Sequence, residues 1–147
     1  MTDLSVDGFG HYLAGLIDGE GCFRIHSQRR GDYYACAFSM RLRDDDRAIL
    51  DEIVARTGVG KVYTQAAYAT SRPGAVWRVQ SRAGCWGLAR ILDVFPLRAK
   101  KAADYAEWRR ALETIATMPR GNRWHGPRDW TPMIEHKRRI EAGRAYR

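Results

Sequence analysis

The chain has 147 residues, with 25 lysines and arginines against 17 aspartates and glutamates, a formal net charge of +8 and a pI near 9.8. That length holds one domain with its own core, and the cation excess calls for a polyanionic partner, most simply nucleic acid. Three widely spaced cysteines, Cys22, Cys36 and Cys85, make neither a disulfide framework nor a zinc pattern, and no run approaches the ~18 consecutive apolar residues of a membrane span. The expected protein is soluble and intracellular, in the cytoplasm, nucleoid or an organelle, with no membrane partner and no small-molecule cofactor.

In chain order, an apolar stretch from about Phe9 to Asp18 has helical spacing and ends in Asp18-Gly19-Glu20-Gly21. Gly15 and Gly19 lie one turn apart on one face. Each glycine costs a helix interior roughly 1 kcal/mol against alanine, so two on one face imply that another backbone comes very close. Asp18 and Glu20 sit at the C-terminal end, where the helix dipole disfavours negative charge. Carboxylates kept there point to a task other than holding the helix.

Cys22 to Gln28 then reads as a strand, with Phe23 and Ile25 on one face and Arg24, His26 and Gln28 on the other. Gly31-Asp32 marks a turn, and Tyr33 to Arg43 a second strand alternating apolar with polar or small residues. Asp44 to Asp46 is expected to cap a helix running to about Thr57, ended by Gly58. Gly60 to Gln65 and Ala75 to Arg82 read as two further strands around the turn Ser71-Arg72-Pro73-Gly74. Helices follow from about Ala83 to Val94 and from about Arg98 to Thr117, the latter with Tyr105, Trp108, Leu112 and Ile115 at core spacing.

Four half-buried strands make a sheet with one packed and one wet face. The wet face collects Arg24, His26, Gln28, Arg30, Ser39, Arg41, Arg43, Tyr63, Gln65, Arg78, Gln80 and Arg82, with almost no acid. Such side chains read base edges and hold phosphates. Residues 119–147 differ: 119–127 reads as a loop, and Thr131-Pro132 opens a short basic helix that lies along phosphates or forms a solvated tail. The expected division is therefore a domain over 1–118 and a basic extension over 119–147.

Leu13-Ala14-Gly15-Leu16-Ile17-Asp18-Gly19-Glu20-Gly21 resembles the signature of the LAGLIDADG homing endonucleases, matching seven of nine positions, with Gly19 and Glu20 replacing Ala and Asp. The resemblance implies an α+β, αββαββα fold whose four-stranded antiparallel sheet forms a DNA-binding saddle, the same order that periodicity gives. It covers roughly residues 8 to 117. In such proteins the motif helix is the seam between two copies of the domain. With one motif in the chain, a homodimer on a near-palindromic site is implied, with Tyr12, Gly15, Leu16 and Gly19 at the interface.

Pairing two motif helices brings both Glu20 side chains to the axis, where a divalent cation relieves their repulsion. The implied metal set is Glu20 with Gly19 and Asp18, and all-oxygen ligands favour Mg²⁺, with Mn²⁺ as a substitute. By similarity a basic catalytic residue lies in Leu97-Arg98-Ala99-Lys100-Lys101, Lys101 ahead of Lys100, and the solvent-ordering residue falls near Arg43. The implied activity is hydrolysis of one phosphodiester per strand of double-stranded DNA. A strand of about eight residues at roughly 3.3 Å each spans about 26 Å, or roughly eight base pairs per half-site, so the target is about twenty base pairs. The alternative is a non-cleaving DNA- or RNA-binding protein of the same fold, a regulator or a maturase. Retention of Glu20 beside the basic residues near position 100 favours cleavage.

Overall fold

The computed structural model describes residues 3–28, 33–118 and 128–144. Its elements are α1 (Phe9–Glu20), β1 (Gly21–Gln28), β2 (Tyr33–Arg43), a 3-10 turn (Asp44–Asp46), α2 (Arg47–Thr57), β3 (Lys61–Gln65), β4 (Gly74–Val79), α3 (Arg82–Val94), α4 (Lys101–Ala116) and α5 (Thr131–Arg144). The four strands form one antiparallel sheet in the order β1-β2-β4-β3. Among the described residues no helix is long and apolar enough to cross a membrane. The expected turn at Gly31-Asp32, Arg30 and the loop over 119–127 lie outside the described residues.

The passage from α1 into β1 takes no linker, and Gly21 is the reason. Its N–H closes the helix on Ile17 O while its backbone is already extended. A Cβ there would lie 2.8 Å from the Ile17 carbonyl oxygen and from the Phe38 ring, distances no side chain tolerates. Helix α1 therefore delivers Glu20, its last residue, directly to the start of an edge strand.

Packing is one-sided, as the alternation requires. Register pairs Phe23 with Phe38 and Met40 with Trp77, and the Phe23, Phe38 and Trp77 rings pack in turn, tilted and edge-on, with centroids 5.0 and 5.1 Å apart. Leu13 and Ile17 of α1, Leu50 and Ile53 of α2, Leu88 and Leu92 of α3, and Trp108 and Leu112 of α4 all join this layer. Each such side chain contributes about 1.5–3 kcal/mol on burial. The two indoles also satisfy their N–H groups: Trp77 donates to Val59 O at 2.9 Å and Trp108 to Ala37 O at 3.1 Å. This rigid layer fixes which side chains the opposite face can present.

Several boundaries differ from the sequence expectation: α1 runs on to Glu20 rather than ending at Asp18, and α4 begins at Lys101 rather than Arg98. Strand β4 stops at Val79 rather than Arg82, because Ser81 Oγ accepts the Gly84 N–H at 2.9 Å and starts α3. The Asp44–Asp46 segment forms a 3-10 turn without a side-chain cap on α2. Helix α5 runs four residues past Ile140, and its Met133 and Ile140 enter the same core cluster as the sheet and α1–α4.

Candidate active site and nucleic-acid interface

The motif helix has two faces with opposite character. Phe9, Gly10, Leu13, Ala14 and Ile17 are buried, whereas Tyr12, Gly15 and Gly19 are exposed and Leu16 is half-buried. A Cβ built on Gly15 or Gly19 would meet nothing within 4 Å. Nothing inside the chain therefore requires glycine at either position, although each weakens the helix by about 1 kcal/mol against alanine.

At the end of this face three groups converge. Glu20 is exposed and has no hydrogen bond or ion pair among the described residues. Lys101, the first residue of α4, donates its Nζ to Gly19 O at 3.1 Å. Asp18 accepts the Arg98 N–H at 2.8 Å on one carboxylate oxygen and the Ala99 N–H at 3.1 Å on the other. The two acids of the motif are thus employed differently: Asp18 anchors the segment entering α4, and Glu20 is left open. Of the two lysines, Lys101 is the one held at the motif tip, while Lys100 is the residue just before α4. Arg43 stands at the end of β2 with a guanidinium N–H donating to Asp45 at 3.0 Å.

Register lays out the wet face row by row. Cys22, Ser39, Arg78 and Lys61 stand side by side across the four strands, then Arg41, Val76 and Tyr63, then Arg43, Gly74 and Gln65. Arg24 and His26 stand beside Ala37 and Ala35, and Gln28 beside Tyr33. Arg78 lies over the Tyr63 ring at 5.4 Å. Arg41 reaches across β4: its Nε donates to Gln65 Oε1 at 2.5 Å, and a terminal N–H donates to Arg72 O at 2.7 Å. Gly74 makes this crossing possible, since a Cβ there would fall 2.8 Å from the guanidinium. Burial lowers the proton affinity of His26, and the nearby Arg24 and Lys137 charges lower it further.

Gln80 follows the end of β4 and is exposed. Arg82 departs from the expected arrangement. As the first residue of α3 it leaves the wet face, and one of its terminal nitrogens is buried without a partner among the described residues. Its charge acts on the buried Cys36, whose thiol burial pushes well up. Lys61 was the reverse case: it sits on the wet face, and its period-two spacing with Tyr63 and Gln65 carried that signal.

An open carboxylate and an ammonium at the tip of a glycine-faced helix, beside a basic antiparallel sheet, define a protein of the LAGLIDADG class. The sequence model described as "LAGLIDADG endonuclease" matches residues 13–112, and the chain belongs to this family. It is 28% identical over 107 residues to "Probable intron-encoded endonuclease Cox1-I1b" of Schizosaccharomyces pombe, covering 71% of this chain and 27% of that protein. The solved structure of the LAGLIDADG meganuclease I-AabMI bound to uncleaved DNA is similar at 31% identity and a TM-score of 0.64, over 73% of this chain and 36% of that one. The chain thus spans about a third of that meganuclease's length. The homing endonuclease I-TnaI shares the fold at 19% identity and a TM-score of 0.65, with 91% of this chain and 84% of that one covered.

Proposed function

We propose that two copies of this chain pair along the exposed face of α1 and act as a Mg²⁺-dependent, sequence-specific endonuclease, hydrolysing one phosphodiester on each strand of a near-palindromic duplex site. The observation that carries this reading is the tip of α1, where an unpartnered Glu20 carboxylate and the Lys101 ammonium stand at the end of an open glycine face. The relatives support it by kind, since they include an intron-encoded endonuclease and a DNA-bound meganuclease.

The donor chemistry fits a metal shared between copies. Among the described residues no group of three or more His, Cys, Asp or Glu gathers within one chain. Glu20 is the open carboxylate at the tip and, with its counterpart in a second copy, would hold the ion by oxygen ligands, a donor set that would suit Mg²⁺ and accept Mn²⁺. When bound, the ion supplies a water of lowered pKa and neutralises charge at the phosphate. The chain's own part is positional and electrostatic. Lys101 offsets negative charge at the reacting phosphate, and Asp18 holds the backbone of residues 98–99 so that this ammonium stays at the tip. The wet-face residues Gln28, Ser39, Tyr63, Arg78 and Gln80 orient the duplex, Arg78 and the two glutamines by base-edge contacts, with Arg24 at the outer edge of the same face.

The test is cleavage selection from a randomised duplex library in Mg²⁺ and in Ca²⁺. The wild type is expected to yield a near-palindromic site of about twenty base pairs, cut on both strands in Mg²⁺. Glu20→Gln is expected to bind that site and cut neither strand. Nicking by Glu20→Gln would remove Glu20 from the role assigned to it, and binding without cutting by the wild type would favour the non-cleaving alternative.

A further inference from the structure

Helix α5 lies beyond the 13–112 family match, and its outward side chains do not point uniformly into solvent. Met133, His136 and Ile140 are buried. Lys137, Glu141 and Arg144, at successive turns on an adjoining stripe, face β1 instead. Together with Arg24 and His26 they line a cleft of about 280 Å³ between the helix and the edge strand.

The charge in this cleft is unbalanced. The Arg24 guanidinium has no hydrogen bond or ion pair among the described residues. Lys137 meets Glu141 only at 3.8 Å, with Lys137 partly and Glu141 largely exposed, a pairing worth little. Arg144 donates to Phe23 O and lies 3.7 Å from Asp104, so it is fixed to the scaffold while keeping its charge at the mouth. With Arg144 paired to Asp104, Arg24 and Lys137 remain as two cations facing one carboxylate, Glu141. That Arg24 and Lys137 both press on the His26 ring places charges from two separate elements around one point.

We propose that α5 and the outer face of β1 form a phosphate-binding cleft, in which Arg24 and Lys137 hold a backbone phosphate of duplex DNA beside the sheet. The inference rests on the DNA-binding reading above and extends the footprint past the four strands. The helix then serves as a wall of the DNA surface. A phosphate entering the cleft takes Lys137 from Glu141, whose carboxylate opposes binding.

The test is a titration of the full chain with a random-sequence duplex of about 30 base pairs across a salt series, because phosphate contacts are independent of sequence. Lys137→Ala is expected to reduce the slope of log K against log salt by about 0.9, which corresponds to roughly eightfold weaker binding at about 0.1 M salt. Glu141→Gln is expected to bind more tightly than the wild type. Arg138→Ala, which removes a cation paired with Glu135 outside the cleft, is expected to keep the wild-type slope. Thermal unfolding of each variant checks that α5 stays folded. Equal losses in Lys137→Ala and Arg138→Ala, or no loss in Lys137→Ala, overturn the cleft while leaving the DNA-binding reading intact. Failure of the wild type to bind any duplex overturns both.

Discussion

Asp18 and Glu20 stand two residues apart in the motif and have separate tasks. A carboxylate at a helix C-terminus faces the negative end of the dipole, and Asp18 escapes that cost by reaching the start of another helix. Its two oxygens take the Arg98 and Ala99 N–H groups, which just precede α4, where negative charge is favoured. Asp18→Asn leaves one acceptor and turns an N–H₂ toward the second donor. A charge-assisted pair at a partly exposed site is worth about 1–2 kcal/mol, so thermal unfolding should show a loss of that size. Cutting should fall as well, because Lys101 follows directly on the anchored segment, while DNA binding should persist. Unchanged melting and cutting would show that the anchor is dispensable. None of this was legible in the sequence, because the partners lie 80 residues downstream and the donors are backbone groups that any residue type carries. Glu20 was legible, since its position at the end of an apolar, glycine-faced stretch is a local property.

Among the elements, those governed by period-two alternation were the readable ones. Strand β2 runs from Tyr33 to Arg43 as its pattern requires, and Trp77 and Val79 are buried in the core as expected. Strand β4 departs from its pattern: alternation continues through Gln80 and Arg82, but the Ser81 cap on Gly84 begins a helix first. A side-chain cap competes locally with the ladder, and here the Ser81 cap turns the chain into α3 although β2 continues beyond Phe38. Helix α5 was visible as a basic stretch, but not its attachment, which depends on a buried cluster. His136 Nδ1 donates to Glu107 Oε2 at 2.6 Å, and Arg110 and Arg139 approach the same carboxylate at 3.3 and 3.8 Å. Burial pushes the Glu107 carboxyl up, yet the hydrogen bonds from Arg110 and His136 outweigh it and hold it below its ordinary value of 4.5. A carboxyl lowered by folding contributes stability that is fully present above its unfolded value and lost as pH falls through its folded one. The α4–α5 contact should therefore loosen on acidification below about pH 4.5. The melting-temperature gap between the wild type and Glu107→Gln should narrow over the same range. A gap that stays constant with pH would show that Glu107 acts through packing alone.

At the scale of the whole molecule, the decisive feature is a face that the monomer does not use. Gly15 and Gly19 have open space where their side chains would be, and Tyr12, one turn before Gly15, is 53% exposed. If α1 only covered its own core, alanine at both positions would strengthen it at no steric cost. In the proposed dimer a second α1 packs against this face with its backbone in close contact, which glycine at both positions permits, and carries a second Glu20 to the same place. Gly15→Leu separates the two possibilities. In a free monomer the substitution strains nothing and raises helix propensity by about 1 kcal/mol, so the monomer should melt at or above the wild-type temperature. At a close helix seam the added side chain forces the backbones apart, and an overpacking cost of about 3 kcal/mol weakens association roughly hundredfold. Sedimentation should then show a dimer for the wild type and a monomer for Gly15→Leu. Double-strand cutting should disappear with the dimer although Glu20 and Lys101 are untouched in each chain. A Gly15→Leu protein that still sediments as a dimer would place the seam on another surface, and the pairing of the two Glu20 carboxylates would have to be abandoned with it.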